Sequence, residues 1–260
     1  MRGIYVDRWR LGTHSEKEVD ALLAFCDKAN IQDIFLHNHQ DRAVNDNWDY
    51  VDYILKHRGK KNIHLWVSLS LGRDNEWTRE KIVEIHATEA RAVTIKPSPV
   101  SMFTEKKRDE GTILSLNPKD EYARSYFVKR IITLKDRYPD LYGFHIDKLE
   151  AGADQLISEI RKNTKGKYLS IPVNRIQNFW KKWEVDEKIP MFINYSRAMF
   201  DKYEPTNKRI GLGCFGCDVS RTKENLKRCE ELGVEPIFYS YGAYSWKANE
   251  TREDFLNAIS

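Results

Sequence analysis

The chain has 260 residues, of which 41% are hydrophobic, 12% aromatic and 32% charged, and this composition excludes a disordered chain. A net charge of +4, from 43 Lys and Arg against 39 Asp and Glu, is spread along the sequence and gives no basic patch for a nucleic acid partner. No apolar run approaches the roughly 20 residues of a membrane span, and four cysteines are too few for a disulfide framework.

Short β-rich runs alternate with helical patterns along the whole chain, which is typical of a parallel sheet built from βα units. The predicted strands, in chain order, are 3–7, 33–37, 63–70, 141–147, 168–174, 191–195, 210–215 and 236–241. Eight such units predict a single (β/α)8 TIM barrel over residues 1–260, with its functional residues at the carboxyl ends of the strands.

Two helices carry clear signals. The first begins with a capping box of Ser15 and Glu18 and continues with apolar residues at helical spacing. A later one follows Asn117 and Pro118. Residues 92–116, which contain prolines and Gly111, are too long for a plain βα connection and predict a hairpin-like lid over the barrel mouth after the third βα unit.

Polar residues alternate with apolar ones along several predicted strands, and the apolar set is expected to face the helices. The polar set then lines the mouth, where a barrel needing only stability has branched apolar side chains, so we expect a ligand site there. Aromatic rings near the strand ends suit stacking on sugars. The predicted substrate-binding residues, for an oligosaccharide or polysaccharide, are His37, His39, Trp66, His145, Asn174, Asn194, Tyr239 and Trp246.

Asp147 ends the fourth predicted strand and is the strongest catalytic candidate. A carboxylate at this position can act as nucleophile, base or electrostatic partner of a developing oxocarbenium ion, whereas an isolated strand-end Asp can equally cap the next helix. The candidates for a second carboxylate are Glu150 and Asp7, ranked equally, and then Asp218.

The segment around Asp147, residues 142–147 (YGFHID), resembles the Gly-aromatic-x-x-Asp signature of the α-amylase clan. It is more closely similar to the Asp-Gly-Ile-His-Leu-Asp motif of a bacterial glycosyl-hydrolase-like family that includes envelope proteins acting on peptidoglycan glycan strands. Residues 2–9, 63–67, 116–118 and 183–196 resemble other segments of that family in the same order. The resemblance implies a TIM-barrel glycoside hydrolase. We expect no cofactor and no metal.

The sequence also departs from these patterns. Tyr142 replaces the first Asp of the family motif, and the fifth predicted strand lacks the Glu that serves as acid in the amylase clan, so the proton donor is unassigned. His145 occupies the position of an Arg that keeps the clan's nucleophile ionised, and a hydrogen bond from His145 to Asp147 is expected.

Two alternatives stay open. His37 and His39 lie on one side of a strand end, as in metal-dependent hydrolases, and Asp7, His145 and Asp147 would complete such a site. The missing acid also suits a barrel that binds glycans without cleaving them. The start of the chain lacks the apolar core of a signal peptide, but the sequence leaves localisation and oligomeric state open.

Overall fold

The computed structural model describes residues 1–7, 15–37, 48, 50–92, 102–108, 111–173, 179–192, 208–213, 219–239, 241 and 252–260. Eight parallel strands form a closed barrel, in the order β1-β11-β10-β9-β8-β7-β3-β2. The barrel strands are β1 Arg2–Asp7, β2 Ile31–His37, β3 Asn62–Ser68, β7 Gly143–Asp147, β8 Tyr168–Val173, β9 Glu187–Phe192, β10 Arg209–Gly213 and β11 Glu235–Tyr239. The predicted (β/α)8 barrel is therefore confirmed.

Helices connect the strands on the outside of the barrel. They are α1 Glu16–Lys28, α2 Val51–His57, α3 Glu76–Ala92, α4 Glu121–Arg137, α5 Asp154–Asn163, α6 Val219–Leu232 and α7 Arg252–Ile259, and a 3-10 turn spans Phe179–Lys182. The predicted capping box is confirmed, since the Glu18 backbone N–H donates to Ser15 Oγ at 3.3 Å. No helix in the described part of the chain is long and apolar enough to cross a membrane.

The predicted orientation of the strand residues is also confirmed. Leu65, Val67 and Phe144 belong to the large apolar cluster that includes the buried faces of α1 and α4. A separate cluster of Tyr5, Phe35, Trp66, Ile189 and Ile237 fills the barrel interior. Alternate residues of one strand thus serve the two faces of the sheet, and the interior is a packed core that holds the side chains at the mouth in place.

The insertion before α4 forms a three-stranded antiparallel sheet in the order β4-β6-β5, with β4 Ser70–Arg73, β5 Phe103–Arg108 and β6 Gly111–Leu116. The predicted hairpin is present as β5 and β6, but the prediction that the third strand continues to residue 70 was wrong. The barrel strand ends at Ser68, whose Oγ accepts the Ser70 backbone N–H at 3.0 Å, and the chain then joins the insertion. Side-chain bonding to the backbone at a serine competes with the strand ladder.

A buried ionic network closes the amino-terminal end of the barrel. Arg209 lies between two carboxylates, with Nη1 2.8 Å from Asp33 Oδ2 and Nε 2.8 Å from Glu187 Oε1. His64 Nε2 lies 2.8 Å from Asp33 Oδ1. Burial lowers the pKa of His64 and outweighs the opposing effect of Asp33, so the imidazole is neutral and donates to the carboxylate. The network ties together β2, β3, β9 and β10.

Glycine is required where β7 meets β8. A Cβ on Gly143 would collide with the backbone carbonyl of Tyr168, an atom that cannot move without breaking the sheet. The close approach sets Gly143 opposite Tyr168 and His145 opposite Ser170 in the ladder. The glycine thereby fixes the height of His145 and Asp147 relative to the next strand.

Candidate active site

The strand register brings several predicted site residues to one edge of the barrel. Asp7 pairs with His37, His37 with Trp66, and Ser68 with Asp147 across successive ladders. Because all these strands are parallel, their carboxyl ends share the same rim. The structure thus places Asp147 at the mouth that the sequence predicts.

Asp147 presents a carboxylate that is mostly enclosed, with 13% of its side chain exposed. Its Oδ1 accepts the Lys148 backbone N–H at 2.7 Å, and its Oδ2 lies 3.8 Å from Lys148 Nζ. The geometry keeps one positive charge near the carboxylate while part of the group still faces solvent. An accessible carboxylate of this kind can attack or stabilise an electron-poor carbon.

Lys148 adopts a left-handed backbone conformation, with φ of 59°. A residue with a Cβ pays roughly 1–2 kcal/mol for this conformation, and such strain is concentrated at functional sites. In this protein the left-handed conformation of Lys148 occurs together with a hydrogen bond from its backbone N–H to the carboxylate of Asp147. Sequence reasoning missed Lys148, because a lysine gives no signal for a left-handed turn, unlike glycine or asparagine.

His145 lies below Asp147 in the barrel interior and is 1% exposed. Its Nδ1 is 3.0 Å from Ser170 Oγ, and its Nε2 is 3.4 Å from the Tyr5 hydroxyl. The expected hydrogen bond from His145 to Asp147 was wrong, since both ring nitrogens have other partners. Two residues of a strand that share a face stand one above the other, so the imidazole meets Ser170 on the adjacent strand β8 and Tyr5 across the barrel interior before it meets Asp147.

Burial lowers the pKa of His145 well below its ordinary value of 6.5, and the nearby His64, Arg209 and His37 lower it further. The pKa of the Tyr5 hydroxyl is shifted in the opposite direction. Burial raises the pKa of Tyr5 well above 10.0, and the negative charges of Asp147 and Glu187 add to this. A neutral imidazole and a protonated phenol therefore support the mouth from below.

Tyr5 was missed as a site residue, although the alternation in β1 could have identified it because Tyr5 shares a face with Asp7. It contacts four aromatic neighbours, with ring centroids 5.0 Å from Trp66 and 5.8 Å from Tyr239. Its hydroxyl also lies 3.6 Å from Met191 Sδ. Tyr5 is thus the central packing residue beneath the mouth.

Trp66 is 6% exposed, and its ring lies 4.1 Å from His37 and 5.8 Å from Tyr239, measured between ring centroids. Little of the ring is left for stacking on a ligand. Its indole Nε1 is buried and has no hydrogen-bond partner within the described residues. The substrate-binding role of Trp66, like those of His37, His145 and Tyr239, stays a prediction.

Some of the remaining predicted site residues are among the described residues, and others are not. Glu150 is exposed in the turn after β7. The backbone of Asp7 ends β1, but its side chain lies outside the described part of the chain. Five further predicted site residues lie outside the described residues altogether: His39, Asn174, Asn194, Asp218 and Trp246. Asp147 is consequently the candidate carboxylate whose surroundings are known best.

The metal-site alternative has one of its two histidines, His37, among the described residues, and that side chain is 3% exposed. Within the described ranges, no group of three or more His, Cys, Asp or Glu side chains is arranged to hold a metal ion. His39, the second histidine of that alternative, is outside those ranges.

Several solved structures align with 99% of the chain, among them the following three. A GH20 catalytic module of the pneumococcal exo-β-D-N-acetylglucosaminidase gives a TM-score of 0.58 at 9% identity, over 81% of that chain. The debranching enzyme of Nostoc punctiforme gives 0.57 at 9% identity, over 79% of that chain. The cycloalternan-forming enzyme of Listeria monocytogenes gives 0.58 at 10% identity, over 30% of that chain.

No family model matches the sequence, and no curated protein matches it either. At 9–10% identity the structural likeness shows the fold alone. The chain has the (β/α)8 barrel fold of glycoside hydrolases.

Proposed function

We propose that this protein is a glycoside hydrolase that uses Asp147 as its central catalytic carboxylate. The observation that carries the proposal is the position of Asp147: a largely enclosed carboxylate at the carboxyl end of a barrel strand, in a chain that aligns over 99% of its length with carbohydrate-active barrels. Active sites of such barrels lie at this end of the strands.

The surroundings of Asp147 support a role as an anion during the reaction. The backbone N–H of Lys148 donates to one carboxylate oxygen of Asp147, and the Lys148 ammonium lies 3.8 Å from the other. An ionised carboxylate near the anomeric carbon either forms a glycosyl ester with it or stabilises the positive charge that develops there. His145 is buried and neutral, and it serves to hold the interior beneath the site rather than to exchange protons with the substrate.

Hydrolysis also requires a proton for the departing sugar oxygen and a water molecule for the anomeric carbon. A second carboxyl group supplies that proton and then accepts one from the attacking water. We propose Glu150, Asp7 or Asp218 for this role. Glu150 belongs to the turn that follows Asp147, and Asp7 ends β1 at the same rim.

The proposed substrate is a polysaccharide or a peptidoglycan-type glycan. Support comes from the resemblance of residues 2–9 and 142–147 to the bacterial glycosyl-hydrolase-like family. The structural relatives point the same way in part, since one is an N-acetylglucosaminidase and another is in complex with a pentasaccharide. The pattern of polar residues around the mouth suits hydroxyl-rich ligands.

The experiment compares Asp147→Asn with the wild type on peptidoglycan, chitin and α-glucan fragments, with release of reducing ends as the readout. We expect the rate on the accepted glycan to fall by at least about a thousandfold, because amide replaces the charged group. Asp52→Asn, a matched change at an exposed position on α2, should keep the wild-type rate.

Calorimetry of the same fragments accompanies the product assay. Binding of a glycan by the wild type with no product from any fragment would contradict hydrolysis and favour the glycan-binding alternative. An unchanged rate in Asp147→Asn would show that another residue carries the reaction.

A further inference from the structure

A cleft of about 590 Å³ opens at the amino-terminal ends of the strands. It is formed by the short segments that precede β3, β7 and β8, which contribute residues 58–62, 140–142 and 166–168. Because Asp147 lies at the carboxyl end of β7, the cleft is on the opposite end of the barrel from the candidate active site. Its volume is in the range of small-molecule binding sites, roughly 300–1,000 Å³.

The cleft is strongly cationic. Five positively charged side chains line it, against the two carboxylates of Asp140 and Asp186. The five are Arg58, Lys60, Lys61, Arg161 and Lys167. The lining side chains thus carry three more positive than negative charges.

Two of the cations already have carboxylate partners. Arg161 Nη2 is 2.8 Å from Asp186 Oδ2, and its other nitrogens donate to the backbone carbonyls of Glu184 and Lys167. Lys61 pairs with Asp27. These bonds fix the shape of the wall and leave three lining cations against the one remaining lining carboxylate, that of Asp140.

The other three cations have no carboxylate partner among the described residues. Arg58 donates to the carbonyl oxygen of Asp140, and Lys167 donates to the carbonyl oxygens of Pro139 and Leu141. These acceptors are uncharged carbonyl oxygens, so both side chains bring a full positive charge to the lining of the cleft. Lys60 is exposed, and its ammonium makes no hydrogen bond to any residue that the structure describes.

The pKa of Lys167 responds to this arrangement. Burial lowers it most, and the positive charges of Arg58 and Lys135 lower it further, while Asp140 raises it. Positive charges that repel one another across a partly buried cleft bind a multivalent anion favourably, because the anion relieves the repulsion.

An aromatic wall adjoins the cations. Tyr142 is 41% exposed, and its ring centroid lies 5.4 Å from that of Tyr168. An exposed ring beside a cationic cleft offers a flat apolar surface next to the position of an anion. Both tyrosines line the cleft.

We propose that this cleft binds a multivalent phosphate-type anion. The planar guanidinium of Arg58 and the ammonium groups of Lys60 and Lys167 match the oxygen donors and charge of such a group. Tyr142 provides a stacking surface if the phosphate belongs to an ester with a flat ring. The site is separate from the glycosidase site and does not depend on the proposed hydrolysis.

The test titrates the full chain with pyrophosphate by calorimetry at low salt and at about 150 mM salt. We expect saturable binding that weakens with salt, and a loss of at least about tenfold in affinity for Lys60→Glu. The matched control is Lys227→Glu, which makes the same change of charge at an exposed position on α6 and should change affinity by less than about twofold. Asp147→Asn should bind pyrophosphate as the wild type does.

A parallel titration with ADP identifies the source of the anion. Tighter binding of ADP than of pyrophosphate, lost in Tyr142→Ala, would support an organic phosphate ester; equal affinities unaffected by Tyr142→Ala would support the free anion. The proposal would be overturned by the absence of saturable binding to either probe, or by equal effects of Lys60→Glu and Lys227→Glu.

Discussion

Acid should destabilise this fold through His145, and the size of the effect follows from its burial. The imidazole is 1% exposed, and burial lowers its pKa well below the value of 6.5 that applies in the unfolded chain. The unfolded chain therefore binds a proton at this histidine as the pH falls below 6.5, whereas the folded chain does not. The stability that the neutral imidazole provides is thus present above pH 6.5 and is lost below it.

The magnitude is set by the proton that only the unfolded chain binds. With an unfolded pKa of 6.5 and an imidazole that stays neutral in the fold, the free energy of unfolding falls by about 2 kcal/mol between pH 7 and pH 5. The perturbation that isolates this contribution is His145→Gln. Glutamine does not titrate, and its amide can replace one hydrogen bond to Ser170.

The assay is urea unfolding at pH 7 and pH 5 for the wild type, for His145→Gln and for a control, His57→Gln. His57 is exposed on α2, outside the barrel interior, so its replacement leaves the buried imidazole of His145 and its contribution in place. His145→Gln should reduce the wild-type difference between the two pH values by up to about 2 kcal/mol, even if the variant is less stable at both pH values. Equal pH differences in all three proteins would refute the argument.

Three further changes test the framework of the site. Arg209→Met removes the cation between Asp33 and Glu187 and leaves their two carboxylates without it. Urea unfolding should then show a free energy of unfolding lower by about 3–5 kcal/mol. A decrease of less than about 1 kcal/mol would contradict the network. Lys148→Gly should raise the free energy of unfolding by about 0.5–1 kcal/mol, because glycine accepts the φ of 59° without strain. Lys148→Val should lower the free energy of unfolding. Equal thermal midpoints for the two variants would argue against backbone strain at this position. Gly143→Ala should lower the free energy of unfolding by at least about 3 kcal/mol, because the new Cβ collides with the Tyr168 carbonyl. A denaturation midpoint equal to that of the wild type would disprove the close approach.

Local sequence patterns were sufficient for the architecture and for the position of Asp147. The alternation of β-rich and helical runs predicted the barrel, and the alternation within strands predicted that Leu65 and Val67 face the helices. The capping box at Ser15 fixed the start of α1. All of these depend on interactions between residues close in the chain, which the sequence displays directly.

Contacts between distant strands were decided only by the closed barrel. His145 bonds to Ser170 and Tyr5 instead of Asp147, because the register of β7 against β8 sets Ser170 beside it and closure of the barrel brings Tyr5 to it across the interior. The left-handed backbone conformation of Lys148 could not be predicted from its residue type, because lysine has no preference for it. Arg209 reaches Asp33 across 176 residues, a pairing that no local pattern encodes.

The cationic cleft has the same origin. Its charges come from the segments before β3, β7, β8 and β9 and from α5, which are separate in the chain, and along the sequence they look like ordinary solvated charged residues. A net charge of +4 spread along 260 residues argues against a basic patch. The barrel gathers the segments before β3, β7 and β8 at one end, because parallel strands that are neighbours in the sheet must begin on the same side.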